Sequence, residues 1–141
     1  MKARIKWIED RVFIGQSGSG HAIALAAGGS DGRSVAPSPM ELVLIGLGGC
    51  TAYDVVDILE KGRQQVEDCV IELDAERAET PPKVFTRVRI VYRVTGRGLD
   101  RAKVERAVRL SADKYCSASA MIGKTAEITH EIEVVESGAT A

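Results

Sequence analysis

Two cysteines, Cys50 and Cys116, are the side chains with the clearest capacity for chemistry in this sequence of 141 residues. Each lies in or beside a stretch of small and apolar residues, 46–52 and 114–120, that is predicted to be helical. If the two helices cross through their small residues, the two sulfurs can approach within bonding distance. In a reducing compartment, a close cysteine pair favours thiol redox chemistry over a structural disulfide.

The local sequence leaves Cys50 without an activating group. Cys50 lies about three turns into its predicted helix, where the field of the helix N-terminus has faded. One turn further on, the carboxylate of Asp54 disfavours a neighbouring thiolate. Glycines at positions 46, 48 and 49 leave room beside the sulfur for a second helix or a small substrate. A buried structural cysteine is the alternative for Cys50 and Cys116, and Cys69, flanked by acids in a predicted strand, is interpreted as a packing residue.

Composition and charge are those of an ordinary globular protein. Hydrophobic residues make up 45% and charged residues 28%, and the formal net charge of -1 gives no bulk field that favours nucleic acid. We recognise no signal peptide, and the longest apolar run, 42–51, is too short to span a membrane. We therefore expect a cytoplasmic protein that binds neither nucleic acid nor a membrane. No CxxC pair is present and only His21 and His130 could assist a metal site, so we expect no metal and no cofactor.

The predicted elements follow the order βββ-α-ββ-α-(α)-β, which indicates an α+β fold in a single domain, 1–141. Strands and a Gly/Ser-rich surface loop occupy 1–37, and two alternating strands occupy 63–99. A second helical region over 100–124, capped by Asp100, precedes a last strand over 125–136. The residues from Glu136 to the C-terminus are expected to fray.

The central helix, predicted over 38–62, has clear signals at both ends. Ser38 and Glu41 form a capping box around Pro39, and Gly62 is the expected C′ residue. Between its ends the helix is apolar nearly all round, which is typical of a helix covered on several sides. A chain of this length offers too little cover by itself, so the pattern predicts a homodimer.

The remaining polar candidates have structural explanations. His21 begins a strand after a Gly/Ser turn and His130 lies in the last strand, and we expect both at the surface. Arg87, Arg89 and Arg93 mix with apolar residues in the second long strand, which predicts a solvated face. They are also candidates for a cation near the cysteine site.

Three segments of the chain, 36–44, 48–56 and 114–117, resemble the OsmC/Ohr family, and its YhfA-like branch in particular. The resemblance covers essentially the whole chain, including the order of strands and the long central helix. It implies an OsmC-like fold, with antiparallel sheets wrapped around long central helices in an intertwined homodimer. It also implies two sites at the interface between the subunits.

The resemblance further implies a reaction. In the well-studied branches the first cysteine is the peroxidatic nucleophile and the second resolves it. By that match, Cys50 would attack the terminal oxygen of an organic hydroperoxide and become a sulfenic acid, and Cys116 would then form the disulfide. A dithiol, in the family often a lipoylated protein, would reduce the disulfide again.

Two departures from the peroxidatic branches affect the site. Those branches place a glutamate directly after the motif proline, where this chain has Met40, while Glu41 lies about 100° around the helix. They also carry an arginine in the first hairpin loop, which here reads Gly-Gln-Ser-Gly-Ser-Gly over 15–20, and neither Arg11 nor Arg33 nearby matches the motif. The candidate residues of the substrate pocket are Met40, Glu41, Gly49 and Asp54.

Three functions stay open on these grounds. The leading hypothesis is a thiol-dependent organic hydroperoxide reductase in oxidative-stress defence. The second is a protein without peroxidase activity that binds a small apolar ligand or senses redox state through the same cysteines. The third is a structural dimer whose cysteines belong to the core.

Overall fold

The computed structural model describes residues 1–28 and 32–138. The strands are β1 (Ala3–Glu9), β2 (Val12–Ser17), β3 (Ala22–Ala26), β4 (Gln65–Arg77), β5 (Phe85–Arg97) and β6 (Glu127–Glu136); the helices are α1 (Pro39–Lys61), α2 (Arg101–Leu110) and α3 (Ser117–Ile122). A π-helical turn, Ser111–Tyr115, joins α2 to α3. The predicted order of elements and the α+β class are confirmed. The predicted loop before α1 and the predicted frayed C-terminus fall partly on residues 29–31 and 139–141, which lie outside the described residues.

The chain divides into two compact units, Met1–Ile45 and Gly46–Ala141. The first contains a three-stranded antiparallel sheet in the order β1-β2-β3 and the first turns of α1. Among its described residues only Gly15 and Ala26 are buried, while large apolar side chains such as Trp7 are exposed. This sheet therefore has almost no core within a single chain.

The second unit contains a sheet in the order β4-β5-β6. β4 and β5 pair as a long antiparallel hairpin, whereas β6 runs parallel to β5. A parallel neighbour requires a crossover, and α2, the π-turn and α3 supply it. The sheet is thus mixed rather than purely antiparallel, with β5 in the centre.

The core of the second unit forms where one face of α1 meets this sheet. The buried residues of α1 recur at helical spacing and include Leu47, Thr51, Val55 and Leu59. On the same face, a Cβ on Gly48 would lie 2.7 Å from Leu73 Cδ1, so a larger residue there would require the Leu73 side chain of β4 to move. Other buried side chains come from α2 and β5: Val104, Ala107, Val108, Val88, Ile90, Tyr92 and Val94.

The ends of α1 confirm one predicted signal and correct another. The Ser38 amide donates to Glu41 Oε2 at 2.7 Å and the Glu41 amide donates to Ser38 Oγ at 3.2 Å, so the capping box is present. At the other end Gly62 is not the left-handed residue. Arg63 takes that conformation (φ 56°), and the Gln64 amide reaches back to the Leu59 carbonyl at 2.9 Å, as in a Schellman motif.

By length and composition α1 could cross a membrane, with a mean hydropathy of 1.7 over 18 residues. The apolar run 42–51, which is too short to span a membrane, is only part of the longer helix α1. Of that window, 28% is buried within the single chain. The core helices of globular proteins can be equally long and apolar, so α1 alone is weak evidence for a membrane span. The expectation that the protein binds no membrane stays a prediction.

Candidate active site

Cys50, Asp54 and Cys116 converge in the second unit. The two sulfurs and a carboxylate oxygen of Asp54 all lie within 4.8 Å of one another. Both cysteines are free thiols. Because a disulfide needs a sulfur separation of about 2 Å, the two side chains must move toward each other to form one.

Cys116 owes its position to the π-turn that precedes it. Its backbone amide donates to the Ser111 carbonyl at 2.8 Å, closing the turn, and its own conformation is extended. The Ser119 amide donates to Cys116 Sγ at 3.3 Å, so the sulfur acts as the N-cap of α3. The side chain is thereby held in one direction, toward α1.

The two cysteines differ in environment. Cys116 is buried, with 3% of its surface exposed, whereas Cys50 is half-buried. Burial raises the pKa of the Cys116 thiol; the Ser119 hydroxyl and amide oppose the shift, and the neighbouring Cys50 adds to it. The first attack on an external substrate needs access from solvent, which buried Cys116 lacks. Cys69 lies on β4, where burial and Asp68 raise its pKa, in keeping with a packing role.

A chain of buried hydroxyl groups adjoins the cysteines and was missed in the sequence. Ser111 Oγ donates to Asp54 Oδ2 at 2.9 Å and bonds Thr51 Oγ1 at 2.9 Å. Thr51 Oγ1 also bonds the Tyr92 hydroxyl at 3.0 Å, which in turn bonds His130 Nδ1 at 3.0 Å. Thr51, Ser111 and Tyr92 are each 0% exposed.

One signal in the sequence could have revealed these hydroxyls. Thr51 continues the buried stripe of α1 formed by Leu47, Val55 and Leu59, and Ser111 directly follows the apolar positions of α2. A polar residue at a core-facing position of an apolar stripe must find a buried partner. The partner itself, on β5, could not be read from helical spacing.

His130 lies at the surface as predicted, although its ring is partly buried and tied to Tyr92. Burial lowers the pKa of His130, while the negative charge of Asp113 opposes the shift. Burial also raises the pKa of Tyr92 to about 12, so that hydroxyl keeps its proton at neutral pH. His21 is exposed as well, and its Nδ1 bonds Ser19 Oγ at 2.9 Å.

The pocket candidates fall into two groups. Gly49 and Asp54 lie on α1 beside or one turn from Cys50, and no atom lies within 4 Å of a Cβ built on Gly49. Open space therefore adjoins the sulfur-bearing turn. Met40 and Glu41 belong to the first turn of α1 in the other unit, and Glu41 is held by Ser38. Their part in a pocket stays a prediction.

The three arginines of β5 point to carboxylates of neighbouring strands. Arg89 makes a bidentate pair with Glu131 at 2.6 Å. Arg93 bonds Glu133 at 2.8 Å, and Arg87 lies 3.7 Å from Glu76. Because each guanidinium has a carboxylate partner on an exposed face, the predicted solvated face is confirmed. These three arginines are therefore engaged with carboxylates rather than with Cys50.

The converging donors could also hold a soft metal ion. Zn²⁺ takes thiolate at about 2.3 Å and carboxylate oxygen at about 2.0–2.2 Å, usually with four ligands in structural sites. Two sulfurs and one carboxylate would leave a fourth position open. The sequence offers only His21 and His130 as ligands in addition to the cysteines, whereas the tertiary structure brings Asp54 to the two sulfurs.

Comparison with known proteins decides the family. The model for OsmC-like proteins matches residues 29–131. The chain belongs to the OsmC-like family. It is 52% identical to Protein YhfA of Escherichia coli K12 over 135 residues, which cover 96% of this chain and 98% of that protein.

Solved structures agree with this assignment. The OsmC-like chain superposes on a hypothetical protein from Aquifex aeolicus VF5 with a TM-score of 0.84 and 30% identity, over 96% of each chain. It superposes on the organic hydroperoxide resistance protein OhrB of Bacillus subtilis with a TM-score of 0.65 over 94% of this chain and 98% of that one. At 15% identity the second likeness shows a shared fold. The predicted family and OsmC-like fold are confirmed.

Proposed function

We propose that this OsmC-like protein is a cytoplasmic thiol-dependent reductase of organic hydroperoxides, in which Cys50 is the nucleophile and Cys116 the resolving cysteine. The observation that carries the proposal is the approach of both sulfurs to within 4.8 Å of each other and of Asp54. The division of roles follows from access. Cys50 is half-buried and its neighbour Gly49 has open space at its Cβ position, whereas Cys116 is buried and its raised pKa keeps it a thiol.

The chemistry has two steps within the protein. The Cys50 thiolate attacks the terminal oxygen of the peroxide: the S–O bond forms, the O–O bond breaks, and the alkoxide takes a proton and leaves as an alcohol. The peroxide gains two electrons, which Cys50 loses on becoming a sulfenic acid. The Cys116 sulfur then attacks the Cys50 sulfur, and water leaves with the thiol proton.

A dithiol reductant completes the cycle. Its thiolate attacks the Cys50–Cys116 disulfide to form a mixed disulfide, and its second thiol then displaces the protein sulfur, so the reductant leaves as a cyclic disulfide and the protein gains two electrons. A lipoylated protein fits this role by the family resemblance. An intermolecular step requires that one sulfur be reachable, and half-buried Cys50 is the accessible one.

We infer that the working unit is a homodimer. β1 has no buried residue, and it exposes 60% of Ile5 and 63% of Trp7. The sheet that contains them has almost no core of its own. α1 likewise exposes 74% of Tyr53. Exposed apolar surface on this scale is typical of an interface, and a second copy of the chain supplies a matching apolar surface.

In the proposed dimer, the second subunit is the source of a cation that would activate Cys50. The loop that carries the arginine of the peroxidatic branches has none in this chain, and Met40 replaces their glutamate. The arginines of β5 are engaged with carboxylates. A basic residue of a second subunit, brought to the open side of Cys50, would favour the thiolate.

The test is oxidation of the reduced protein with one equivalent of cumene hydroperoxide or of hydrogen peroxide. We expect rapid formation of a Cys50–Cys116 disulfide with the organic peroxide, read by thiol titre and non-reducing peptide mass. Cys50→Ser should abolish the reaction, and Cys116→Ser should stop it at the sulfenic acid. Cys69→Ser is the matched control and should react normally. Thiols unchanged at millimolar peroxide would refute the proposal.

A redox sensor is the second candidate, and the missing glutamate and loop arginine favour it. In that case the disulfide forms, but turnover with a dithiol is negligible. A purely structural role for the cysteines predicts that Cys50→Ala lowers stability and changes nothing else.

A further inference from the structure

Two features of the cysteine site do not suit a dithiol that acts alone. A carboxylate oxygen of Asp54 lies within 4.8 Å of both sulfurs, although its negative charge disfavours the thiolate of a nucleophile. Ser119, three residues after Cys116, is 7% exposed, and its hydroxyl has no hydrogen-bond partner among the described residues. A buried hydroxyl without a partner is uncommon and calls for an explanation. Both features fit a cation held between the sulfurs and the carboxylate.

The three donor atoms meet because of local geometry on two segments. Cys50 and Asp54 lie four residues apart on α1, so both side chains project from one face of that helix. Two histidines at the same spacing bind zinc on a helix of many metalloproteases. Cys116 follows the π-turn and has an extended conformation, and its sulfur approaches this face of α1. The arrangement is therefore a pair of ligands from one helix and a third from a turn.

The spacing of the donors suits a tetrahedral ion. With zinc–sulfur bonds of about 2.3 Å, two sulfurs on a tetrahedral ion lie about 3.8 Å apart, and a carboxylate oxygen lies about 3.6 Å from each sulfur. The three atoms already lie within 4.8 Å of one another. A contraction of about 1 Å or less, which side-chain rotation can supply, therefore completes the geometry.

Hydrogen bonds hold two of the three donors in place. Ser111 Oγ donates to Asp54 Oδ2 at 2.9 Å, so the other carboxylate oxygen can face an ion. Ser111 is itself buried and bonded to Thr51 Oγ1. The Ser119 amide donates to Cys116 Sγ at 3.3 Å, and a metal-bound thiolate at that sulfur would also accept the Ser119 hydroxyl hydrogen. Supporting hydrogen bonds of this kind orient the ligands of metal sites.

Charge and ligand chemistry decide which ion fits. Two thiolates and an ionised carboxylate place three negative charges together, and a divalent cation among them cancels two of those charges. Thiolate ligands favour Zn²⁺ or Cu⁺, whereas Mg²⁺ and Ca²⁺ prefer sites built only of oxygen. A carboxylate beside two sulfurs is a common combination for Zn²⁺. Asp54, which disfavours a free thiolate, thus becomes a favourable ligand once the ion is bound.

We propose that Cys50, Asp54 and Cys116 form a reversible Zn²⁺ site in the reduced protein, with water as fourth ligand, and that the bound ion shields the dithiol from peroxide. On binding, each thiol releases its proton to solvent and each sulfur gives an electron pair to the ion, so nothing is oxidised or reduced. Formation of the disulfide removes two ligands and releases the ion. Binding is independent of the proposed peroxidase activity, whereas the shielding rests on it.

The first test measures Zn²⁺ binding to the reduced protein, without peroxide, by competition with a chromogenic chelator. We expect one ion per chain, and X-ray absorption should show two sulfur neighbours at about 2.3 Å. Cys50→Ser and Cys116→Ser should each remove the site. Cys69→Ser makes the same change at the remaining cysteine and should bind as the wild type does. A wild type that does not bind one ion per chain, or an equal loss in Cys69→Ser, overturns the site.

The carboxylate distinguishes this site from zinc binding by a dithiol alone. Loss of a supporting hydrogen bond typically weakens metal binding about 10- to 100-fold, so Ser111→Ala should lose that much affinity and Asp54→Asn at least as much. Asp57→Asn, on the same helix but paired with Lys61, is the matched control and should keep the wild-type affinity. Circular dichroism first establishes that each variant folds, and if Asp54→Asn does not, Ser111→Ala decides. Wild-type affinity in the deciding variant refutes a ligand role for Asp54.

The second test measures the loss of thiols after one equivalent of cumene hydroperoxide. Protein loaded with Zn²⁺ should react more slowly, in proportion to the fraction loaded, and EDTA should restore the rate of the metal-free protein. Mg²⁺ at the same concentration is the control and should not protect. Equal rates with and without Zn²⁺ overturn the shielding. If the metal-free protein does not react with peroxide, the proposed function fails, while the binding measurement still decides the metal site.

Discussion

Replacing the Thr51 hydroxyl with a methyl group, Thr51→Val, should destabilise the protein without changing its shape. The hydroxyl bonds Tyr92 at 3.0 Å and Ser111 at 2.9 Å, and all three residues are 0% exposed. Each lost neutral hydrogen bond between buried groups costs about 1 kcal/mol net. In the variant the Tyr92 hydroxyl is still hydrogen-bonded to His130 and the Ser111 hydroxyl to Asp54, so neither hydroxyl is left without a partner. We therefore expect a loss of about 2 kcal/mol.

Urea unfolding measures this loss, with variants compared at one protomer concentration because association would add to stability. For a chain of this size about 2 kcal/mol corresponds to a fall in Tm of roughly 4–8 °C. The double variant with Ser111→Ala should be less destabilised than the sum of the singles by about 1 kcal/mol, because one bond is counted twice. A Thr51→Val protein as stable as the wild type would show that neither bond contributes, and strictly additive effects would show that the Thr51–Ser111 bond does not.

Three further predictions concern the thiols, the histidine and the glycines. Iodoacetamide at neutral pH should label Cys50 before Cys116, because burial raises the pKa of the Cys116 thiol; peptide mass spectrometry reads the order, and equal rates contradict it. Because burial lowers the pKa of His130 from 6.5, the unfolded chain binds more protons there. Stability should fall as pH drops below 6.5, and His130→Gln should flatten that part of the urea-unfolding profile; an unchanged slope contradicts it. Alanine stabilises a helix by about 1 kcal/mol relative to glycine, so Gly49→Ala, which meets nothing within 4 Å, should raise Tm. Gly48→Ala places a methyl 2.7 Å from the end of the Leu73 side chain, which must move, so this variant should gain less or lose stability; equal Tm values for the two variants contradict this packing.

Much of the fold could be predicted because its signals are local. The Ser38–Glu41 capping box and the Asp100 cap of α2 each involve residues within one turn, so their spacing is sufficient. The predicted C′ residue of α1 was wrong by one position, because Arg63 rather than Gly62 takes the left-handed conformation that ends the helix. Glycine is favoured in that conformation but is not required, and the sequence alone does not distinguish the two.

Local patterns were enough to predict the elements, the family and the cysteines that could act together. Small residues around Cys50 and Cys116, and the family motifs that contain them, are properties of short segments. The groups that surround the sulfurs, by contrast, depend on how distant segments fold together. Asp54 lies near Cys116 because the crossover between β5 and β6, which contains Cys116, packs beside α1. The hydroxyls between Asp54 and His130 come from three segments: α1, the π-turn and β5. Such contacts join residues 38 to 60 positions apart, and their direction depends on packing that no local pattern encodes.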